Sequence, residues 1–238
     1  MPAGLIVLLV LALAPAGAYN EGNRLYAQRD YAGAARAYQR ALAAGPNAAA
    51  CYNLGNALFK SGKMGMAIVQ YRRALALRPR DADVARNLSF ARAYRVDKVT
   101  PDRGSIERAL DRSFRLLSRR EAAPAAAALV LLAALSLSVW IVRRGRWLLG
   151  AATALAVLAL FCLVTQWVWT GEVQSRPAVV VVPEVDVLSG PGEEFKQILL
   201  IHDGTEVKVR EQRGAYLLVQ LSGGSGGWIR SDEVQRVY

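Results

Sequence analysis

The residues able to do chemistry are few and far apart. His202 is the single histidine, and Cys51 and Cys162 are the two cysteines, in 238 residues. A metal centre needs several His, Cys or carboxylate ligands converging on one point, so His/Cys metal sites are nearly excluded. His202 stands in His-Asp-Gly, a turn signal, and reads as a surface residue rather than a base or ligand. Cys51 falls at a helix-packing position and Cys162 inside a long apolar run, so a disulfide between them would need a large movement. Ser222–Gly227 is glycine-rich but lies between strand candidates, which makes it a hairpin turn and not a phosphate loop. Neither a nucleophile elbow nor a zinc spacing is present. The expectation is a non-enzymatic protein with no cofactor and no metal.

What remains is binding, and the charge pattern divides the chain for that purpose. The net charge is +11. Residues 19–96 carry 13 Lys+Arg against 4 Asp+Glu, whereas residues 171–238 carry 7 against 10. Two surfaces of opposite sign suggest two domains. The basic half brings no recognised nucleic-acid motif with it, so no nucleic-acid partner is expected.

Three apolar stretches set the environment. Leu5–Leu13 is too short to span a bilayer, and Ala16 and Ala18 follow it as in an A-x-A cleavage site, so residues 1–18 read as an export signal. Ala122–Val142 and Trp147–Trp169 hold no charged residue over 21 and 23 positions. At about 1.5 Å rise per residue each exceeds a hydrocarbon core of about 30 Å. Neither has a polar face, and Trp140, Trp147, Trp167 and Trp169 stand near their ends, where an indole prefers the interface. Pro124 is expected in the first helical turn, where its missing N–H costs little. The connector 143–146 contains Arg143, Arg144 and Arg146, which favour the cytoplasmic side and make the two spans a hairpin. Ahead of it, in the linker 96–121, Ile106, Leu110, Phe114 and Leu117 follow one helical face while Arg108, Arg112, Arg115 and Arg119 fall largely off it. Such a helix can lie in the lipid interface, or it can pack on protein.

The first half contains a repeat. Residues 19–46 and 52–79 match at an offset of 33, through Tyr19/Tyr52, Asn20/Asn53, Gly22/Gly55, Asn23/Asn56, Leu25/Leu58, Ala34/Ala67, Tyr38/Tyr71, Ala41/Ala74 and Pro46/Pro79 among others. Glycine lets a neighbouring helix approach, alanine makes small helix–helix contacts, tyrosine fills the space between helices, and proline ends each unit. The stretch CYNLGNALFKSGKMGMAIVQYRRALALRP resembles a tetratricopeptide repeat throughout. AYNEGNRLYAQRDYAGAARAYQRALAAGP is a looser copy, with Glu21 for the usual Leu and Arg29 for the usual Gly. Val84–Arg95 resembles a lone capping helix, so residues 19–95 read as two repeats plus a cap. The resemblance implies that the first helix of each unit lines a peptide-binding face. Tyr19, Asn23, Tyr52, Asn56 and Arg86 are the candidates there, with Phe90 beside Arg86. The asparagines would hydrogen-bond a peptide backbone or terminal carboxylate, and Arg86 would pair with a carboxylate.

After residue 171 the pattern changes to short strands at Ala178–Val182, Val185–Leu188, Glu206–Glu211, Tyr216–Leu221 and Gly227–Arg230, broken by turns. Val185, Val187, Gly190-Pro191-Gly192, Gly204-Thr205 and Gly227-Trp228-Ile229 resemble a bacterial SH3-like domain, expected over 177–238 as a small barrel. The expected fold is therefore a multidomain membrane protein, with an all-α tetratricopeptide solenoid, a transmembrane helical hairpin and a small all-β SH3-like barrel. This order of parts resembles the BatE family of aerotolerance-operon proteins. That resemblance implies protein partners of two kinds, membrane proteins with von Willebrand factor A domains and a MoxR-type ATPase. It also implies a bacterial inner membrane, with both soluble parts on the periplasmic side. Membrane lipid is a further expected partner. The rival expectation is a cell-wall anchor in which the SH3-like domain holds peptidoglycan.

Overall fold

The computed structural model describes residues 16–97, 109–110 and 113–238. Most of the expected export signal and Ile106 therefore lie outside the described residues. The chain divides into two compact units, one made of residues 1–101 with 175–238 and the other of residues 102–174.

The first unit begins with five helices: α1 (16–27), α2 (Tyr31–Ala43), α3 (Ala48–Lys60), α4 (Met64–Leu77) and α5 (Ala82–Ala93). Helix starts follow local chemistry. Asp30 takes the Gly33 N–H at 2.8 Å, Asn47 the Ala50 N–H at 3.1 Å and Asp81 the Val84 N–H at 3.2 Å, each satisfying a donor left over at a helix N-terminus. The repeated glycines are spatially required. A Cβ on Gly22 would sit 2.5 Å from the Tyr38 ring, and one on Gly55 2.6 Å from Tyr71. Both tyrosines are fully buried between the helices of their repeats, as their spacing implied.

The looser first repeat now has a physical explanation. Glu21, where leucine is usual, pairs with Arg40 at 2.9 Å and puts a polar face on the end of the stack. Arg29 adopts φ 63°, the left-handed conformation that Gly62 supplies at φ 76° in the same turn of the second repeat.

The C-terminal part is a seven-stranded antiparallel sheet of β1 (Pro177–Val180), β2 (Glu184–Leu188), β3 (Gln197–His202), β4 (Glu206–Arg213), β5 (Tyr216–Leu221), β6 (Gly226–Arg230) and β7 (Val234–Arg236), in the order β3-β2-β6-β5-β4-β1-β7. Alternate residues such as Val185, Val187, Leu217 and Val219 fill one core. The expected barrel is corrected here, because the sheet does not close. The edge strands β3 and β7 do not pair with each other, and the repeats contact the sheet just past β7 and at the end of β3. Arg73 of α4 donates to the Val237 carbonyl at 2.8 Å and the Arg236 carbonyl at 2.9 Å, just past β7. At the other edge the His202 N–H, at the end of β3, donates to Asp97 at 2.7 Å. Two strands beyond the expected five are present, β3 and β7.

The second unit holds α6 (Arg119–Arg143) and α7 (Arg146–Gln174), joined at Arg144-Gly145 and packed along their length as a hairpin. Both are long and apolar enough to cross a membrane, by length and composition. Small buried residues, Ala122 and Ala126 on α6 and Ala152 and Ala159 on α7, let the helices approach. Ser118 and Glu121 form a capping box that starts α6 earlier than its apolar run. Pro124 is consequently the sixth helical residue and not part of the first turn.

Candidate functional site

The repeats and the sheet meet through ionic groups drawn from opposite ends of the chain. Glu206, at the start of β4, accepts a two-pronged bond from the Arg92 guanidinium at 2.7 and 2.8 Å, and single bonds from Arg72 and Arg95 at 3.2 Å each. Burial pushes its carboxyl up. The hydrogen bond and charge of Arg92, followed by the charges of Arg72 and Arg95, outweigh burial and hold it below the usual range.

Asp97, just after α5, does the reverse job. It takes the His202 N–H, the His202 Nδ1 at 3.1 Å and the Thr205 hydroxyl at 2.5 Å. Burial raises its pKa, and the bonds from Thr205 and His202 more than reverse that, leaving it depressed. His202 is therefore a half-buried docking residue, not the surface residue its turn motif suggested.

A third contact completes a helix. Lys63 precedes α4 and supplies no side-chain cap, unlike Asp30, Asn47 and Asp81 before their helices. Asp203 of the sheet takes its place, accepting the Gly65 N–H at 3.0 Å. Burial dominates at this carboxyl and raises its pKa, with the Gly65, Met64 and Gly204 amides opposing. Gly65 itself has no room for a side chain, since a Cβ would run into the Val180 carbonyl and Asp203. Val179 and Val237 of the sheet join the apolar core of the repeats.

On the first helices of the repeats, four of the five sequence-derived candidates join a ladder of two hydrogen-bonded rungs, one per repeat. The Tyr38 hydroxyl donates to Asn23 Oδ1 at 2.8 Å, and Asn53 donates to Asn23 Oδ1 at 3.2 Å and to the Tyr19 hydroxyl at 2.9 Å. One repeat later Tyr71 donates to Asn56 Oδ1 at 2.9 Å, and Asn87 donates to Asn56 Oδ1 at 2.8 Å and to the Tyr52 hydroxyl at 3.2 Å. The carbonyl oxygens of Asn23 and Asn56 are thus engaged within the fold. Burial first, and then the neighbouring Tyr19 and Tyr26, push the Tyr38 hydroxyl up to about 12. Arg86 stands apart, exposed and paired with Asp83 one turn earlier.

Sequence reasoning placed Phe90 beside Arg86 but missed the cluster to which it belongs. Phe59, Phe90 and Tyr94 form three mutual ring contacts, with centroids 5.6, 6.0 and 4.8 Å apart. Phe90 is 52% exposed and Tyr94 61%. The signal was available in principle, because Phe90 and Tyr94 lie four residues apart after Arg86 and share its face.

Among the described linker candidates, Leu117 does not continue the helical turn that holds Phe114. Residues 113–114 are helical, but 115–118 turn away and Ser118 begins α6, so Leu117 lies outside any helix. Leu110 is exposed, the Phe114 ring stacks on Phe161 at 5.5 Å, and the Leu117 carbonyl takes the Trp169 indole N–H at 3.0 Å. Phe114 and Leu117 therefore pack on α7.

Comparison with known families agrees with the helical part. Residues 19–95 match the tetratricopeptide repeat family. No curated protein matches the chain. The repeats mark a protein-interaction scaffold with protein partners.

Proposed function

We propose that the protein is a membrane-tethered interaction scaffold whose repeats and sheet act as one rigid module. The observation that carries this reading is the docking of residues 16–97 against residues 177–238 through Glu206, Asp97 and Asp203. A folded module assembled from the chain on both sides of a helical hairpin must reside on one side of the membrane. Two spans satisfy that requirement, whereas one or three would not.

The module is extracytoplasmic in this reading, because Arg143, Arg144 and Arg146 at the hairpin tip favour the cytoplasm. The arrangement of repeats, hairpin and C-terminal sheet supports a role in a BatE-type assembly of the bacterial inner membrane. Its partners there would be von Willebrand factor A-domain membrane proteins and a MoxR-type ATPase. Phosphatase and fluorescent-protein fusions at Tyr238 test the side. Phosphatase activity is expected, and a fluorescent cytoplasmic fusion would overturn the compartment.

A further inference from the structure

We infer that the Phe59–Phe90–Tyr94 cluster is the anchoring point for a partner protein segment that carries a large apolar side chain flanked by acidic residues. The inference rests on the scaffold reading and says what the scaffold grips.

The end of a helical stack is ordinarily covered by polar side chains. The first end obeys this, with Glu21 and Arg40 paired across it. At the other end of the repeats, Phe90 of α5 and Tyr94 and Val96 just after it are all more than half exposed. Rings held edge-to-face by one another lose little freedom when a partner covers them, which makes aromatic clusters effective anchors. Phe59 is partly buried against the core of the repeats, so the cluster is fixed to a rigid base.

The flanking chemistry follows from charge. All four acidic residues of residues 19–96 are engaged. Glu21 and Asp83 pair with Arg40 and Arg86, and Asp30 and Asp81 cap helices. The sheet contributes Glu206 against Arg72, Arg92 and Arg95. Residues 19–96 keep 13 basic residues against 4 acidic ones, and Lys60 directly follows Phe59 and is exposed. An acidic segment is steered toward such a face and a basic one repelled. The asparagine ladder contributes less than its sequence suggested, because the Asn23 and Asn56 oxygens are already bonded within the fold.

The test uses the full chain in its native membrane, with a photoreactive phenylalanine analogue placed in turn at Phe90, Tyr94, Asn23 and Ala215. Crosslinked segments are mapped by mass spectrometry. Crosslinks from positions 90 and 94 are expected to enter a protein segment with an aromatic or large aliphatic residue bordered by Asp or Glu. With the probe at 90, Tyr94→Ser is expected to lower the yield about tenfold without changing the melting temperature, and added salt to lower it further. Crosslinks at 90 and 94 only to lipid, to a second copy of this chain, or to a segment without that pattern overturn the inference. Protein crosslinks confined to Asn23 or Ala215 overturn it but leave the scaffold standing. Absence of protein crosslinks at all four positions overturns both.

Discussion

Helix α4 packs on the repeat helix α3 and on the sheet, and it holds these two by different physics. Toward α3 the contact is apolar and steric, with the Tyr71 ring laid over Gly55. Toward the sheet it is ionic and directional: Asp203 on the helix N-terminus, Glu206 on Arg72, and Arg73 on the Val237 carbonyl. The first contact is a repeating unit that any copy of the motif can make. The second is specific to this pair of surfaces and converts two chain segments of opposite charge into a single body. Val179 and Val237 add apolar burial to the same seam, and the ionic groups with their fixed geometry set one orientation.

The largest expected effect comes from breaking the seam. Glu206→Ala removes the carboxylate that balances the largely buried Arg72 and Arg95 charges, and such a loss costs about 3–5 kcal/mol. Chemical denaturation should show the sheet and repeats unfolding as two transitions rather than one. Acid should do the same without mutation. Glu206 and Asp97 both have depressed folded-state pKa values. Their contribution is complete above the ordinary carboxylate value of about 4 and is lost as pH falls through the depressed values. Asp203, with a raised pKa, runs the other way: its contribution is complete below the ordinary carboxylate value and falls as pH rises through the raised one. Limited proteolysis along a falling pH series should reveal separation only below the ordinary carboxylate value of about 4.

Gly55→Ala probes the other contact. Its new Cβ presses on Tyr71, an overpacking cost of about 1–3 kcal/mol, and the melting transition should fall while remaining single. Asp203→Ala removes the cap that α4 borrows from the sheet, worth about 1 kcal/mol, and amide exchange should quicken at Met64 and Gly65 before anywhere else. The smallest effect is a gain. Arg29→Gly relieves a left-handed arginine and should raise stability by some tenths of a kcal/mol, about 1 at most, read as a small rise in melting temperature.

These two contacts also differ in how legible they were. Gly22, Gly55, Tyr38 and Tyr71 announce themselves because the repeat prints the same packing solution twice, and a period needs no partner to be seen. The seam has no period. Arg92 and Glu206 are 114 residues apart, and nothing local to either names the other. One local trace did exist: the segment Ser61-Gly62-Lys63 precedes α4 without an Asp, Asn or Ser at the capping position. A helix start lacking its own cap points to one supplied from elsewhere. Strand β3 was missed for a related reason. Gln197–His202 reads QILLIH, an apolar run with no alternation, so period-two reasoning finds no strand in it. The opposite charges of the two halves were visible, and they suggested separate domains. The same charges are what bring the halves together.

The central claim is that repeats and sheet form one body on one side of a membrane. In a chain with Cys51 and Cys162 replaced by alanine, single cysteines at the exposed positions Ala32, Ala215 and Arg146 can be challenged with a membrane-impermeant maleimide in sealed, uniformly oriented vesicles. The account predicts that positions 32 and 215 label together from one side and that position 146, at the hairpin tip, labels only when the opposite side is opened. Labelling of 32 and 215 from opposite sides would contradict it.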